Sequence, residues 1–304
     1  MSNEYSVTTS YVEVPFPRIK MEPVTTTHPT KINIVVPVIP EPARNIMDLV
    51  LLTAGVSLNA SLGLFIVLNS TMYNSTNCYV VSLVLSNFVI LFEPLMRICE
   101  WIFGIHLKIN LDYVFIMSFG TSILTIILLN VETYIVICQK NSPLRKSFLK
   151  ASSAIKGIIF IWTAIVMAAS IELHLYDHFE KEIVDDIYVS STVMFLIFPL
   201  LVFIILNYFI LYNLTMSKST SGTWPGKDVK RFVFLIGVHM GFFLTVVPYR
   251  VTRAISLISR RNDTMIEITY TMVKTYPIIL PIISFLTSIK RNPRRQRQET
   301  SVVI

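Results

Sequence analysis

Apolar positions along this chain do not alternate with polar ones; they come in long blocks. Seven apolar runs, at 46–69, 78–102, 111–138, 155–175, 188–212, 229–257 and 268–288, are separated by short polar segments. Each run is long enough to cross a hydrocarbon core of about 30 Å as a helix rising about 1.5 Å per residue. Helices are the spanning form expected, because lipid offers no partner to an unpaired backbone group. The pattern predicts an all-α membrane protein, a seven-transmembrane helix bundle. Residues 1–44 are polar and rich in Pro and Thr, which predicts a disordered tail. That tail lacks a basic segment followed at once by an apolar run, so no cleavable signal peptide is expected. The predicted organisation is a tail over 1–44, a seven-helix domain over 45–289 and a short basic tail over 290–304.

Composition agrees with a lipid-facing surface. Of 304 residues only 15% are charged, against about 25% in a soluble domain, and mean hydropathy is +0.62. The net charge of +7 would suit a nucleic-acid binder, but the charges sit between the apolar runs. Lys140, Arg145, Lys146, Lys150, Lys218, Lys227, Lys230 and Arg231 fall in segments of one side, as do Lys290, Arg291, Arg294, Arg295 and Arg297. The opposite loops hold only Lys108, Lys181, Arg260 and Arg261. Cytoplasmic loops are enriched in Lys and Arg, so the amino terminus is expected outside and the carboxyl terminus inside. No nucleic-acid partner is expected. The glycosylation sequons at Asn69, Asn74 and Asn213 then lie inside, and Asn262 becomes the expected extracellular glycosylation site.

Chemistry-bearing motifs exclude more than they suggest. The three cysteines, Cys78, Cys99 and Cys138, form no CxxC and no Cys/His cluster, so no metal site is expected. Only Cys99 falls near the outside, which leaves it no extracellular disulfide partner. No nucleophile elbow, phosphate loop or zinc-protease motif is present, and neither an enzyme nor a cofactor is expected.

Single positions along the runs resemble a rhodopsin-like (class A) G-protein-coupled receptor. Asn59, Trp162, Pro199, Pro248 and Pro281 stand in order where that family carries its span-one asparagine, span-four tryptophan and the prolines of spans five, six and seven. Glu132 and Tyr134 begin and end the place of the acidic-Arg-Tyr triplet, and Pro199, Ile123 and Phe242 match the family's three packed coupling residues. The resemblance covers about residues 45–292. Departures are as informative: Thr133 replaces the triplet arginine, and Asn87 replaces a sodium-binding aspartate. Lys108 replaces the span-three cysteine, and spans six and seven carry neither Cys-Trp-x-Pro nor Asn-Pro-x-x-Tyr. Such losses are similar to those in virus-encoded and orphan receptors. By the resemblance, Asp228 is the acid that pairs with the triplet arginine. Thr133 offers no charge, so that lock is expected to be missing and Glu132 to lack an arginine neighbour. The expected result is high basal signalling or uncoupling.

Ionisable residues inside a span are costly, and each is a candidate site. Glu93, Arg97 and Glu100 share one helix face by their i, i+4, i+7 spacing. They form either a self-compensating ion cluster or the floor of a ligand pocket. Asp112 starts span three, and Phe115 occupies the place of the amine receptors' aspartate, which argues against an amine ligand. Arg250 and Lys274 either meet Glu93 or Asp112 or await an anionic ligand group. Lys274 also precedes Pro281 by seven residues, as does the retinal-binding lysine of opsins. The segment 174–187, rich in Asp and Glu, is expected to be a loop, either merely solvated or steering a basic peptide.

The resemblance implies a plasma-membrane receptor for an extracellular peptide or chemokine-like ligand, working through a heterotrimeric G protein from within the lipid bilayer. The alternative is a non-signalling decoy or scaffold that forms a hetero-oligomer with other receptors or internalises them.

Overall fold

A computed structural model describes residues 39–69, 72–105, 111–178, 181–259 and 264–288. Asn262, Lys108, the bulk of the amino-terminal tail and the basic carboxyl-terminal tail lie outside the described residues. Among the described residues the chain folds into helices alone: α1 (Glu41–Leu68), α2 (Ser75–Phe103), α3 (Leu111–Cys138), α4 (Pro143–Phe148), α5 (Ala151–His178), α6 (Lys181–Ser221), α7 (Gly226–Thr245), α8 (Val247–Ser259) and α9 (Thr264–Ser288). Seven spans are long and apolar enough to cross a membrane, with α7 and α8 together making the sixth. The expected seven-span bundle is therefore the fold.

Helix ends follow local chemistry. Pro42 stands in the first turn of α1, where its missing N–H removes no helical bond. The Asn74 side chain caps α2 by accepting the Asn77 amide at 3.0 Å. Gly104 ends that helix in the left-handed conformation, φ 64°. Several helices outrun their apolar runs. α1 begins at Glu41 and so takes in Arg44. α5 continues to His178 and α6 begins at Lys181, so most of the segment expected to be an acidic loop is helical. The correction has a simple cause: a spanning helix need not stop where lipid stops, because its hydrogen bonds are internal. A further unexpected element is α4, one short helix between the third and fourth spans.

The sixth span is broken. α7 closes with the Val246 amide bonding to the Phe242 carbonyl at 2.9 Å, and α8 restarts at Val247. Pro248 has no N–H to continue the ladder, and its ring crowds the preceding turn.

α3 runs through the centre of the bundle, packed against α2, α5, α6 and α7. The main core joins Ile123 and Ile126 of α3, Phe203 of α6, Val238 and Phe242 of α7, and Tyr276 and Leu280 of α9. Close approach uses glycine: a Cβ on Gly120 would stand 2.6 Å from Ile165 of α5. Lipid-facing helices expose large apolar side chains such as Phe160, Met194 and Leu286, as a membrane surface requires.

Candidate functional site

Two charged centres lie at opposite ends of the bundle. The first is near the amino-terminal face. Asp48 of α1 is fully buried and accepts the Lys274 ammonium of α9 at 2.8 Å. The same ammonium lies 3.0 Å from Glu93 of α2, and Arg97 lies 2.6 Å from Glu93 and 3.6 Å from Asp48. Two acids and two bases thus cancel within one network that ties α1, α2 and α9. Lys274 and Arg97 also lie over the Tyr270 ring, at 5.0 and 5.9 Å from its centroid. Just beyond, Arg44 of α1 pairs with Glu267 of α9. Charges in a low-dielectric interior are costly unless paired; here every charge has an opposite one within 3.6 Å, and the Lys274–Asp48 contact is also a hydrogen bond.

Of the residues singled out from sequence, Glu93, Arg97 and Lys274 come together here. Glu100 sits in the last turn of α2 and its carbonyl accepts the Gly104 amide at 3.0 Å. Asp112 falls in the first turn of α3, and its side chain is outside the described set. Asp48 is absent from the residues that sequence reasoning singles out. A lone acid in an apolar run was its signal.

Aromatic rings lead from this network into the bundle. Tyr270 meets Tyr249 at 5.2 Å, Tyr249 meets Phe115 edge-on at 4.8 Å, and Phe115 stacks on Phe119 at 6.4 Å. At the end of that path lies Arg250, only 2% exposed. Its guanidinium sits 4.6 Å from the Phe119 ring and 4.6 Å from the Tyr188 ring. Arg250 does not meet Glu93: both carboxylates of the network are taken by Lys274 and Arg97.

The second centre lies at the opposite face, where α3 ends and α7 begins. Glu132, fully buried, accepts Ser75 at 2.8 Å and Thr76 at 2.9 Å. Arg231 of α7 reaches in from the other side, 3.3 Å from Glu132 and 2.6 Å from the Thr76 hydroxyl. The expectation that Glu132 lacks an arginine is corrected. The arginine comes from α7 instead of α3, so the tie between the two helices exists with its charges exchanged. Thr133 is buried and spends its hydroxyl on the Leu129 carbonyl of its own helix, at 2.8 Å. Asp228 pairs with Lys140, just past α3, at 3.7 Å. Tyr134 packs edge-on against Phe209 of α6, ring centroids 6.2 Å apart.

Between the two centres a polar seam crosses the core. Asn87 of α2 donates to Asn59 of α1 at 2.8 Å, and Asn59 donates to the Pro277 carbonyl of α9 at 2.6 Å. Trp162 donates to Ser82 at 3.2 Å. Ile123 and Phe242 share the main core, and Pro199 is buried in α6 one turn before Phe203 of that core. Pro281 is buried inside α9, and Pro248 stands just past the break in the sixth span. Below the core, at the opposite face, a cleft of about 520 Å³ opens among Cys138, Lys140, Asn213, Ser217, Thr220 and Asp228.

Known proteins resemble this chain in sequence. The family model for the 7 transmembrane receptor (rhodopsin family) matches residues 59–284. The pyrokinin-1 receptor of Drosophila melanogaster is 28% identical over 207 residues, 62% of this chain. The matched stretch covers 47% of that receptor, so the chain spans about half the length of the relative it matches. With a family match that runs from Asn59 of the first span to Ser284 of the seventh, over a bundle of seven membrane-length spans, the chain belongs to the rhodopsin family of seven-transmembrane receptors, multi-pass signalling proteins of the plasma membrane.

Proposed function

We propose that this chain is a cell-surface receptor for a peptide, with the amino-terminal face outside, and that it signals by moving α7 away from α3. The observation that carries this reading is the Glu132–Arg231–Thr76 tie. It holds together the two helices that must part for a partner protein to enter from the opposite face. The cleft beside Lys140 and Asp228 would receive that partner, a heterotrimeric G protein. The peptide class is supported by the likeness to a pyrokinin receptor, itself a peptide receptor.

The tie changes the expectation about coupling. A receptor with no contact between α3 and α7 would open freely, whereas one closed by a buried ion pair rests quiet. Low basal activity with peptide-dependent activation is the expected behaviour. The test is nucleotide exchange on purified G proteins of each class by membranes carrying the full chain, with and without a peptide library. No exchange above empty membranes under any condition would overturn this reading and favour a decoy that binds without signalling.

A further inference from the structure

Among the described residues, Arg250 is the one buried cation for which the bundle supplies no carboxylate. We propose that Arg250, with Tyr188 and Thr192, receives a carboxylate of the bound peptide. The proposal rests on the peptide-receptor reading and adds to it the chemistry of one contact.

Asp48 and Glu93 are each already engaged by Lys274 and Arg97, so neither is left for Arg250. Arg250 is held instead between two ring faces, Phe119 and Tyr188. Ring faces attract a cation but accept no N–H in the plane of the guanidinium, and its Nε and Nη1 remain without acceptors. Two hydroxyls of α6 share that lack of partners. The Tyr188 hydroxyl and the Thr192 hydroxyl, one turn apart on the same face of α6, are buried and have no hydrogen-bond partner. Arg253, one turn along α8, adds its guanidinium over the same Tyr188 ring at 5.5 Å. Among the described residues the site therefore holds a guanidinium fork against the Tyr188 ring, with the Thr192 hydroxyl one turn along α6, and no carboxylate. A carboxylate is the group that such a fork binds bidentately, with charge-assisted bonds in a medium that screens them poorly. A buried ion lacking its partner inside a membrane protein is a candidate functional site. Phe115, Phe119 and Tyr249 around it favour an apolar or aromatic residue beside that carboxylate.

Small probes test this without knowing the natural peptide. The full chain, purified in nanodiscs, is heated with N-acetylphenylalanine, its amide, or N-acetyl-aspartyl-phenylalaninamide. The first offers a terminal carboxylate, the second none, and the third a side-chain carboxylate. At saturating probe, a carboxylate is expected to raise the unfolding midpoint by at least about 2 °C and the neutral amide not at all. The arm that shifts the midpoint identifies the source. Arg250→Gln should fold, since it removes an unpaired charge, and should abolish the shift; Arg250→Lys should retain part of it. Equal shifts from acid and amide, or a shift that survives Arg250→Gln, overturn the proposal. Failure of the receptor reading looks different: carboxylates still bind through Arg250, but no peptide drives nucleotide exchange. Conversely, a peptide that activates wild type and Arg250→Gln at equal concentrations leaves the reading standing and removes the contact.

Discussion

Replacing Arg231 by methionine keeps the aliphatic stem and deletes the charge that α7 offers to α3. Glu132 is fully buried, while Arg231 is 23% exposed, so the pair is only partly screened. Removing one partner of a buried ion pair costs about 3–5 kcal/mol. Here Glu132 keeps two hydroxyl donors, Ser75 and Thr76, and water reaches the guanidinium. The contribution to the closed state is accordingly about 1–2 kcal/mol. Losing that much raises the open-to-closed ratio by about five- to thirtyfold. Ligand-free nucleotide exchange in membranes, at matched surface density, should rise accordingly for Arg231→Met and for Glu132→Gln. The double variant should rise no further than either single one, because both remove the same contact. Two results would refute the reasoning: basal exchange at the wild-type level in both single variants of a receptor that does respond to ligand, or single effects that add within about 0.5 kcal/mol in the double variant.

Lys274→Met leaves Asp48 and Glu93 facing each other with only Arg97 between them, and should lower stability by about 3–5 kcal/mol. Asp48→Asn in the same chain should recover part of that loss, read as the unfolding midpoint of the purified protein. Asn59→Ala removes the link among α1, α2 and α9 and strands the Asn87 amide. A loss of about 1–3 kcal/mol is expected in the same assay, and a change under about 0.5 kcal/mol would show that the seam is not structural.

The bundle was legible because lipid imposes a length and a composition on every span. The seven apolar runs need no tertiary knowledge to be found. The charged centres were less legible, for a geometric reason. Asp48 and Lys274 lie 226 positions apart, and nothing local in either run says that α1 will lie beside α9. Arg231 resembles any basic residue at a cytoplasmic helix end, and the positive-inside rule absorbs it without further question. Only the packing of α7 against α3 shows that its guanidinium turns inward. Thr133 misled in the complementary way: a missing arginine at one position of α3 reads as a missing lock, although an arginine on α7 makes the same connection. Helix ends were blurred where the chain leaves the hydrocarbon, because polarity changes there and hydrogen bonding does not.

The break at Val246 makes α7 a lever with its fulcrum partway along the sixth span. Arg231 lies fifteen residues from that fulcrum, an arm of about 22 Å. A swing of only about 10° carries it sideways by about 4 Å, more than the whole 3.3 Å that separates it from Glu132. Tilt at the fulcrum is a smooth coordinate, but the contact at the end of the arm is short-ranged. The arm must therefore let go almost at once when it begins to move, and a gradual push from the amino-terminal face would emerge at the opposite face as an abrupt release.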